Sequence, residues 1–379
     1  MNILFCVFTY YPNKDGVQTV TQYQAEGLVK LGHSVTVITS NHKNHEKEND
    51  IYNGVKIIRI DAYTDNMTDY GNKKEYQKLL IEQSKNNDVV ICVCPESWPT
   101  NWAIPIQKYI KCKKIMIIHG MHEFNMTNMP FNIFSFTKKI VGNIRWGIFY
   151  KKNMKNIKKF DGFIHLHEKD YSYQYFLKKK IKNNFVLYNA VENDFFIDNV
   201  KKENNIINVG TYCKNKNQLE CLNVFYKSSL KDYKLILIGN QKNEYYKELV
   251  KRKEELDKIY GNRNVDIYAN LDRKTTVNLI KSAKIYLLTS FSEKFPVSLL
   301  EAMASKCAFV STDVGVVKYL PGGIVGKTEE ELIKALNLFL EDRMLERYAN
   351  DAFKFTQKNS QIDIQVKKME DIIKSIDQN

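Results

Sequence analysis

Short apolar, β-branched runs punctuate the chain at 2–8, 34–39, 55–60, 88–94 and 113–118, and again at 206–209, 233–239, 264–268, 284–290 and 308–312. Runs of this length predict strands buried on both faces. Helical patterns separate several of them, one at Val17–Gly32 and another at 241–259, and further ones close the chain at 328–341 and 343–379. Strands alternating with helices predict an α/β protein in which helices cover both faces of a parallel sheet. The pattern stops and restarts, which gives two Rossmann-like, doubly wound domains. A chain of 379 residues is too long for one compact core and fits two of ordinary size. We expect an N-terminal domain over 1–190, a second over 191–355 and a closing segment over 356–379, with the join near Leu187–Phe196. Neither half carries GxGxxG, which argues against a nicotinamide dehydrogenase.

Composition narrows the class more than the function. Apolar content of 44% is that of a globular protein. No run of eighteen apolar residues is present to span a bilayer. The opening MNILFCVF lacks the basic flank of a signal peptide and reads as a first buried strand. Seven cysteines, odd in number and without CxxC spacing, read as reduced core thiols of a cytosolic protein. Cys92 and Cys94 are not expected to ligate a metal together. The net charge of +14 rests mainly on Lys, alongside abundant Asn and Ile, as AT-rich coding would produce. Nucleic-acid readers lean on Arg, so nucleic acid is not an expected partner.

Candidate chemistry gathers where strands end. In FSEKFPVSLLEAMA, Glu293 lies in the loop leaving a buried strand, Pro296 marks a helix start, and Glu301 sits five residues into that helix. Backbone N–H groups at the helix start lie between the two carboxylates and attract phosphate. Ligands of doubly wound sheets bind outside the C-terminal strand ends, so two hydroxyl-binding acids flanking a phosphate site suit a sugar–diphosphate–ribose ligand. Gly16, between the first strand and the first helix, lets backbone approach a ligand closely. His119 ends the strand KKIMIIH. Lys216, in VGTYCKNKNQ, can neutralise a phosphate as a point charge. No paired acids of DxD type stand in a convincing position for a divalent metal.

The run FSEKFPVSLLEAMA, continued by STDVG at Ser311–Gly315, resembles the donor-binding signature of glycosyltransferase family 4, retaining enzymes of GT-B fold. The likeness is densest at 284–315 and collinear, though weaker, at 1–40, 113–120, 187–196 and 209–218. It implies two Rossmann-like domains facing a central cleft that closes on substrate, and a last helix crossing back to the first domain. It also implies transfer of a sugar from a nucleotide-sugar donor, a UDP-sugar first among them, without cofactor or metal. The acceptor would be a glycan or a lipid-linked sugar in bacterial surface polysaccharide, lipopolysaccharide or capsule assembly. Under this resemblance Glu293 contacts the donor sugar and Glu301 the ribose diol. Phe295, Val297 and Ser298 belong to the same donor-binding stretch, Gly16 and Gly210 face the phosphates, and His119 lines the sugar's reactive carbon. Thr211 stands where the family has Arg, which removes a bidentate phosphate contact and leaves Lys216, with Lys214 nearby, to carry the charge. Lys294 and Lys306 replace common glycines. Two rivals stand beside this reading: an inactive GT-B subunit that binds a partner or glycan, favoured by Thr211, and a sugar-nucleotide epimerase needing no acceptor.

The stretch 131–160 is aromatic and basic, with eight cations and no acid between Lys138 and Lys159. Lys138, Lys139, Arg145, Trp146, Lys151, Lys152 and Lys155 predict an interfacial helix on anionic lipid, hence peripheral contact with the inner face of the cytoplasmic membrane. The alternative is a surface helix packed on the sheet.

Overall fold

The structure, a computed structural model, describes residues 1–13, 15–41, 49–124 and 133–376; the start of the basic stretch, 131–132, lies outside the described residues. The chain divides into two compact units, Met1–Tyr188 with Ile362–Asn379, and Asn189–Gln361.

The first unit holds β1 (Asn2–Cys6), β2 (Ser34–Ser40), β3 (Asn49–Tyr52), β4 (Val55–Ile60), a separate hairpin β5 (Ala62–Asp65) and β6 (Thr68–Gly71), then β7 (Val89–Val93), β8 (Lys113–Ile118), β9 (Gly162–His165) and β10 (Asn184–Val186). Its main sheet runs β10-β9-β8-β7-β1-β2-β4-β3. Every pair is parallel except the terminal β3–β4. Alternate side chains feed two apolar layers: Leu4, Cys6, Val90, Cys92 and Met116 on one face, Ile3, Phe5, Val89, Ile91 and Ile115 on the other. Burial on both sides explains the unbroken apolar runs. Cys94 lies just past β7 with a left-handed φ of 63° and falls in the layer opposite Cys92, whereas residues two apart within the strand would share a face; all seven cysteines are free thiols.

The predicted closing pattern at 343–379 breaks into two helices, Asp342–Asn359 and Ile362–Ser375, at Ser360 and Gln361. The second lays Val366, Met369, Ile372 and Ile373 into the first unit's core beside Leu28. The approach to helix Gly16–Lys30 is so close that a Cβ on Gly27 would come within 2.4 Å of Val366 Cγ2.

The second unit holds β11 (Asn205–Val209), β12 (Lys234–Gly239), β13 (Val265–Ala269), β14 (Ile285–Leu288), β15 (Ala308–Thr312) and β16 (Gly323–Gly326), ordered β13-β12-β11-β14-β15-β16 and parallel throughout. The chain winds outward from β11 in one direction and from β14 in the other. The connections therefore diverge between these two strands, and that split is where a doubly wound sheet opens a ligand crevice at its C-terminal edge.

Candidate active site

The loops leaving β11 and β14 at this switch point are stitched to each other. Thr289 Oγ1 donates to the Asn217 carbonyl at 2.8 Å, Phe291 N–H to the Asn215 carbonyl at 2.8 Å, and Asn215 Nδ2 to the Ser292 carbonyl at 3.1 Å. The stitching brings together two predicted residues 77 positions apart, Lys216 and Glu293, with Nζ 2.6 Å from Oε1. Ser290 Oγ donates to the same carboxylate oxygen at 2.8 Å. The Lys216 stem lies along Gly210, where an added Cβ would sit 3.6 Å from Cγ and Cδ, in ordinary contact. Gln218 Nε2 spans the carbonyls of Gly210 and Thr211 at 3.3 and 3.2 Å. The Thr211 side chain is exposed, as is Lys214.

The STDVG turn has a structural reason. Gly315 adopts φ +50°, and a Cβ there would fall 2.4 Å from the Lys294 carbonyl oxygen and 2.5 Å from that of Glu293. Only glycine fits so close against this peptide. Val316 N–H then donates to the Lys294 carbonyl at 3.1 Å. The backbone carrying Glu293 is thus gripped from the next strand's exit.

The following helix begins at Val297, with Pro296 as its N-cap rather than its first residue. Its opening N–H groups have no intrahelical partner. Ser298 Oγ lies 2.7 Å from the buried Tyr286 hydroxyl, which is also 3.1 Å from the Val209 carbonyl oxygen. Tyr286 thereby braces the end of β11 against the helix start. Val297 is half-buried. Phe295, expected at the donor, is instead 3% exposed, with Asn189 Nδ2 bonded to its carbonyl at 2.8 Å. Its aromatic ring is spent on packing.

Glu301 is 6% exposed, and Arg273 Nη2 reaches its Oε1 at 2.6 Å. The same guanidinium reaches Glu192 Oε1 at 2.8 Å and lies over the Phe195 ring. Burial pushes the Glu301 carboxyl above its ordinary value, against the downward pull of Arg273. Sequence reasoning missed Arg273. It is the first residue of helix Arg273–Ser282, a position where a cation opposes the helix dipole, and that oddity is the signal that could have marked it.

In the first unit Gly16 opens helix Gly16–Lys30, capped by Asp15, and nothing lies within 4 Å of where its Cβ would be. His119 follows β8. Burial pushes its imidazole down to about 4, and its Nε2 is buried without a hydrogen-bond partner. Near it, Cys94 and Glu96 adopt left-handed φ of 63° and 69°. Glu96 Oε1 accepts from His122 N–H at 2.7 Å and from the Tyr150 hydroxyl at 2.9 Å. The apolar runs gave no hint of this cluster.

The basic stretch forms helix Ile133–Ile157, and one assignment within it is corrected. Trp146 does not face outward: it is 5% exposed, in the core against Phe149. Helical spacing turns Gly142, Trp146 and Tyr150 inward and leaves Ile140, Val141, Ile144 and Ile148 exposed, the last at 64%. Lys138, Arg145, Lys151, Lys152 and Lys155 are exposed around that stripe. Lys139, half-buried, bonds the Glu123 carbonyl, and Arg145 bonds the Met67 carbonyl. Among the described residues no helix is long and apolar enough to cross a membrane. Nor, among them, do three or more His, Cys, Asp or Glu side chains cluster as a metal site would require.

Residues 190–355 match the family described as Glycosyl transferases group 1. Over 98% of both chains the fold is similar to sucrose-phosphate synthase from Thermosynechococcus elongatus, with TM-score 0.73 and 13% identity. It is likewise similar to Anabaena Alr3699/HepE in complex with UDP-glucose, with TM-score 0.67 and 13% identity over 99% of this chain and 100% of that one. An uncharacterized 42.6 kDa protein in the cps region of Klebsiella pneumoniae is 44% identical over 61 residues, 16% of each chain. That shared segment is far short of either full length. Residues 190–355 are a group 1 glycosyltransferase domain, and the chain that carries it is a glycosyltransferase of GT-B fold.

Proposed function

We propose that this enzyme is a retaining, metal-independent glycosyltransferase of family 4 type, moving a sugar from a UDP-sugar to a glycan or lipid-linked acceptor in capsule or related surface polysaccharide assembly. The observation that carries the reading is the Lys216–Glu293 pair at the switch point, beside a helix N-terminus and the buried Glu301. Support for the donor comes from the UDP-glucose in a protein of similar fold, and for the setting from the cps-region relative.

In this reading the diphosphate meets the first turn of helix Val297–Ala304 and the Lys216 ammonium. Glu293 then exchanges its lysine partner for sugar hydroxyls. Glu301 takes the ribose diol, with Arg273 keeping it ionised. The sugar C1–phosphate oxygen bond breaks, the acceptor oxygen bonds C1 from the same face, and its proton passes to the leaving phosphate. Lys216 and the helix dipole stabilise the departing charge. His119, neutral at pH 7, keeps the role at the sugar that the family resemblance implies. The isoleucine stripe with its flanking cations adds contact with anionic lipid.

A thermal-shift screen with UDP, GDP, ADP and their sugars tests the donor, since a ligand bound only by the folded state raises stability. Stabilisation by UDP and a UDP-sugar is expected. Indifference to every nucleotide defeats the reading and leaves the inactive-subunit alternative.

A further inference from the structure

At the opposite edge of the first sheet, where β8 and β9 begin, lies a cavity of about 440 Å³. It is lined by Gln107, Lys108, Ile110, Lys111, Lys114, Lys158 and Lys159. Five of these seven are lysines, drawn from three separate stretches of chain. No acidic residue lines it among the described residues. Asp161 is fully buried and engaged with Lys114, taking its backbone N–H at 2.7 Å and its ammonium at 3.0 Å. Lys108, Lys111, Lys158 and Lys159 are exposed on the rim. A concave site focuses the potential of like charges and concentrates counter-ions. Its volume lies within the range of small-ligand pockets. Substrates of doubly wound sheets bind at the other, C-terminal edge, so this basin is separate from the transfer chemistry.

We propose that this basin is a binding site for a phosphate-bearing anion, either a free di- or polyphosphate or the headgroup of an anionic lipid. Lysines drawn from separate stretches of chain around one concavity suit an anion with several charged oxygens, and Gln107 adds a neutral hydrogen-bonding group. The site stands or falls independently of the donor-site reading, because its test does not read transfer.

Binding of pyrophosphate to the full chain is measured by calorimetry at constant ionic strength, and binding to phosphatidylglycerol vesicles by co-sedimentation. Wild type is compared with Lys111→Glu/Lys159→Glu and with Lys354→Glu/Lys358→Glu, an equal charge change on exposed lysines of the second unit. The basin pair should weaken binding about tenfold or more, with the control pair close to wild type. Selective loss of pyrophosphate binding identifies a soluble phosphate. Selective loss of vesicle binding alone identifies a lipid headgroup. Equal loss in both variants means diffuse charge and overturns the site. So does survival of both pyrophosphate and vesicle binding in the basin variant, as would follow if other sites took them, or the absence of any binding. If the charge reversals unfold the protein, Lys111→Gln/Lys159→Gln must give the same ordering.

Discussion

Arg273→Ala removes the ion pair that Glu301, a carboxylate 6% exposed, makes among the described residues. Leaving a buried charge unpaired costs about 3–5 kcal/mol. Arg273 is itself 46% exposed on its side chain, so water can partly take its place, and a loss of about 2 kcal/mol at pH 7.5 is the working figure. The pH dependence follows from the carboxyl's position above its ordinary value, caused by burial. An acid whose pKa is raised on folding supports the fold fully below its unfolded value, about 4.3. That support is lost as pH rises through the folded pKa. Without Arg273, the first of the opposing influences is gone and the folded pKa climbs further. The deficit of the variant should therefore be small near pH 4 and grow steadily toward neutrality. Urea unfolding followed by far-UV circular dichroism at pH 4.5, 6 and 7.5 measures it. Glu301→Gln, placed on the Arg273→Ala background, should recover about 1 kcal/mol at pH 7.5, since a neutral amide is cheaper to leave unpaired than a charge. A deficit independent of pH, or no recovery in the double variant, would refute the account of Glu301 as a strained acid held by Arg273.

Glu293→Gln should lower kcat, and Glu301→Ala should weaken UDP-sugar binding, each by about 1.5–3 kcal/mol; unchanged steady-state kinetics in both would remove the donor-site assignment. Activity should persist in EDTA, and rescue of a chelated, inactive enzyme by Mg²⁺ or Mn²⁺ would count against charge neutralisation by Lys216. Gly315→Ala should displace the Glu293–Lys294 peptide, adding about 1–2 kcal/mol of left-handed strain to the clash; a variant with wild-type melting and donor affinity would show that the turn does not hold Glu293. Lys151→Glu, Lys152→Glu and Lys155→Glu together should release anionic vesicles while leaving turnover on a soluble acceptor analogue intact, whereas Trp146→Ala should destabilise the fold by about 3–5 kcal/mol; vesicle binding unaffected by the triple change would end the lipid assignment.

The central strands of both sheets could be read from the chain because burial on two faces leaves continuous apolar runs. The short strands could not. β9, β10 and β16 have only three or four residues each, and β16 is GIVG, where glycines mask the signal. Of the site, Glu293, Lys216 and Glu301 were visible because a local motif carries them. Their partners were not: Arg273 lies 28 residues from Glu301 in the chain, and Ser290, three residues before Glu293, belongs to no motif that announces it. The basic helix shows a different limit. It bears two stripes two residues apart, through 140, 144 and 148 and through 142, 146 and 150. Periodicity gives the period but not which stripe faces the core, so the aromatic residue was read as the outward one.

The return of helix Ile362–Ser375 to the first unit has a consequence for how the molecule is made. Residues 189–361 form an insert whose ends are tied together: Val191 pairs with Gln361, and its N–H donates to the Ser360 carbonyl at 2.8 Å. On the ribosome the insert is complete before the helix that follows it emerges. The earlier unit must wait, with the surface destined for Val366, Met369 and Ile373 still open to water. Synthesis therefore finishes the later unit first. A chain cut before Ile362 would keep the second unit whole and expose apolar surface on the first, the kind of surface that chaperones and proteases recognise.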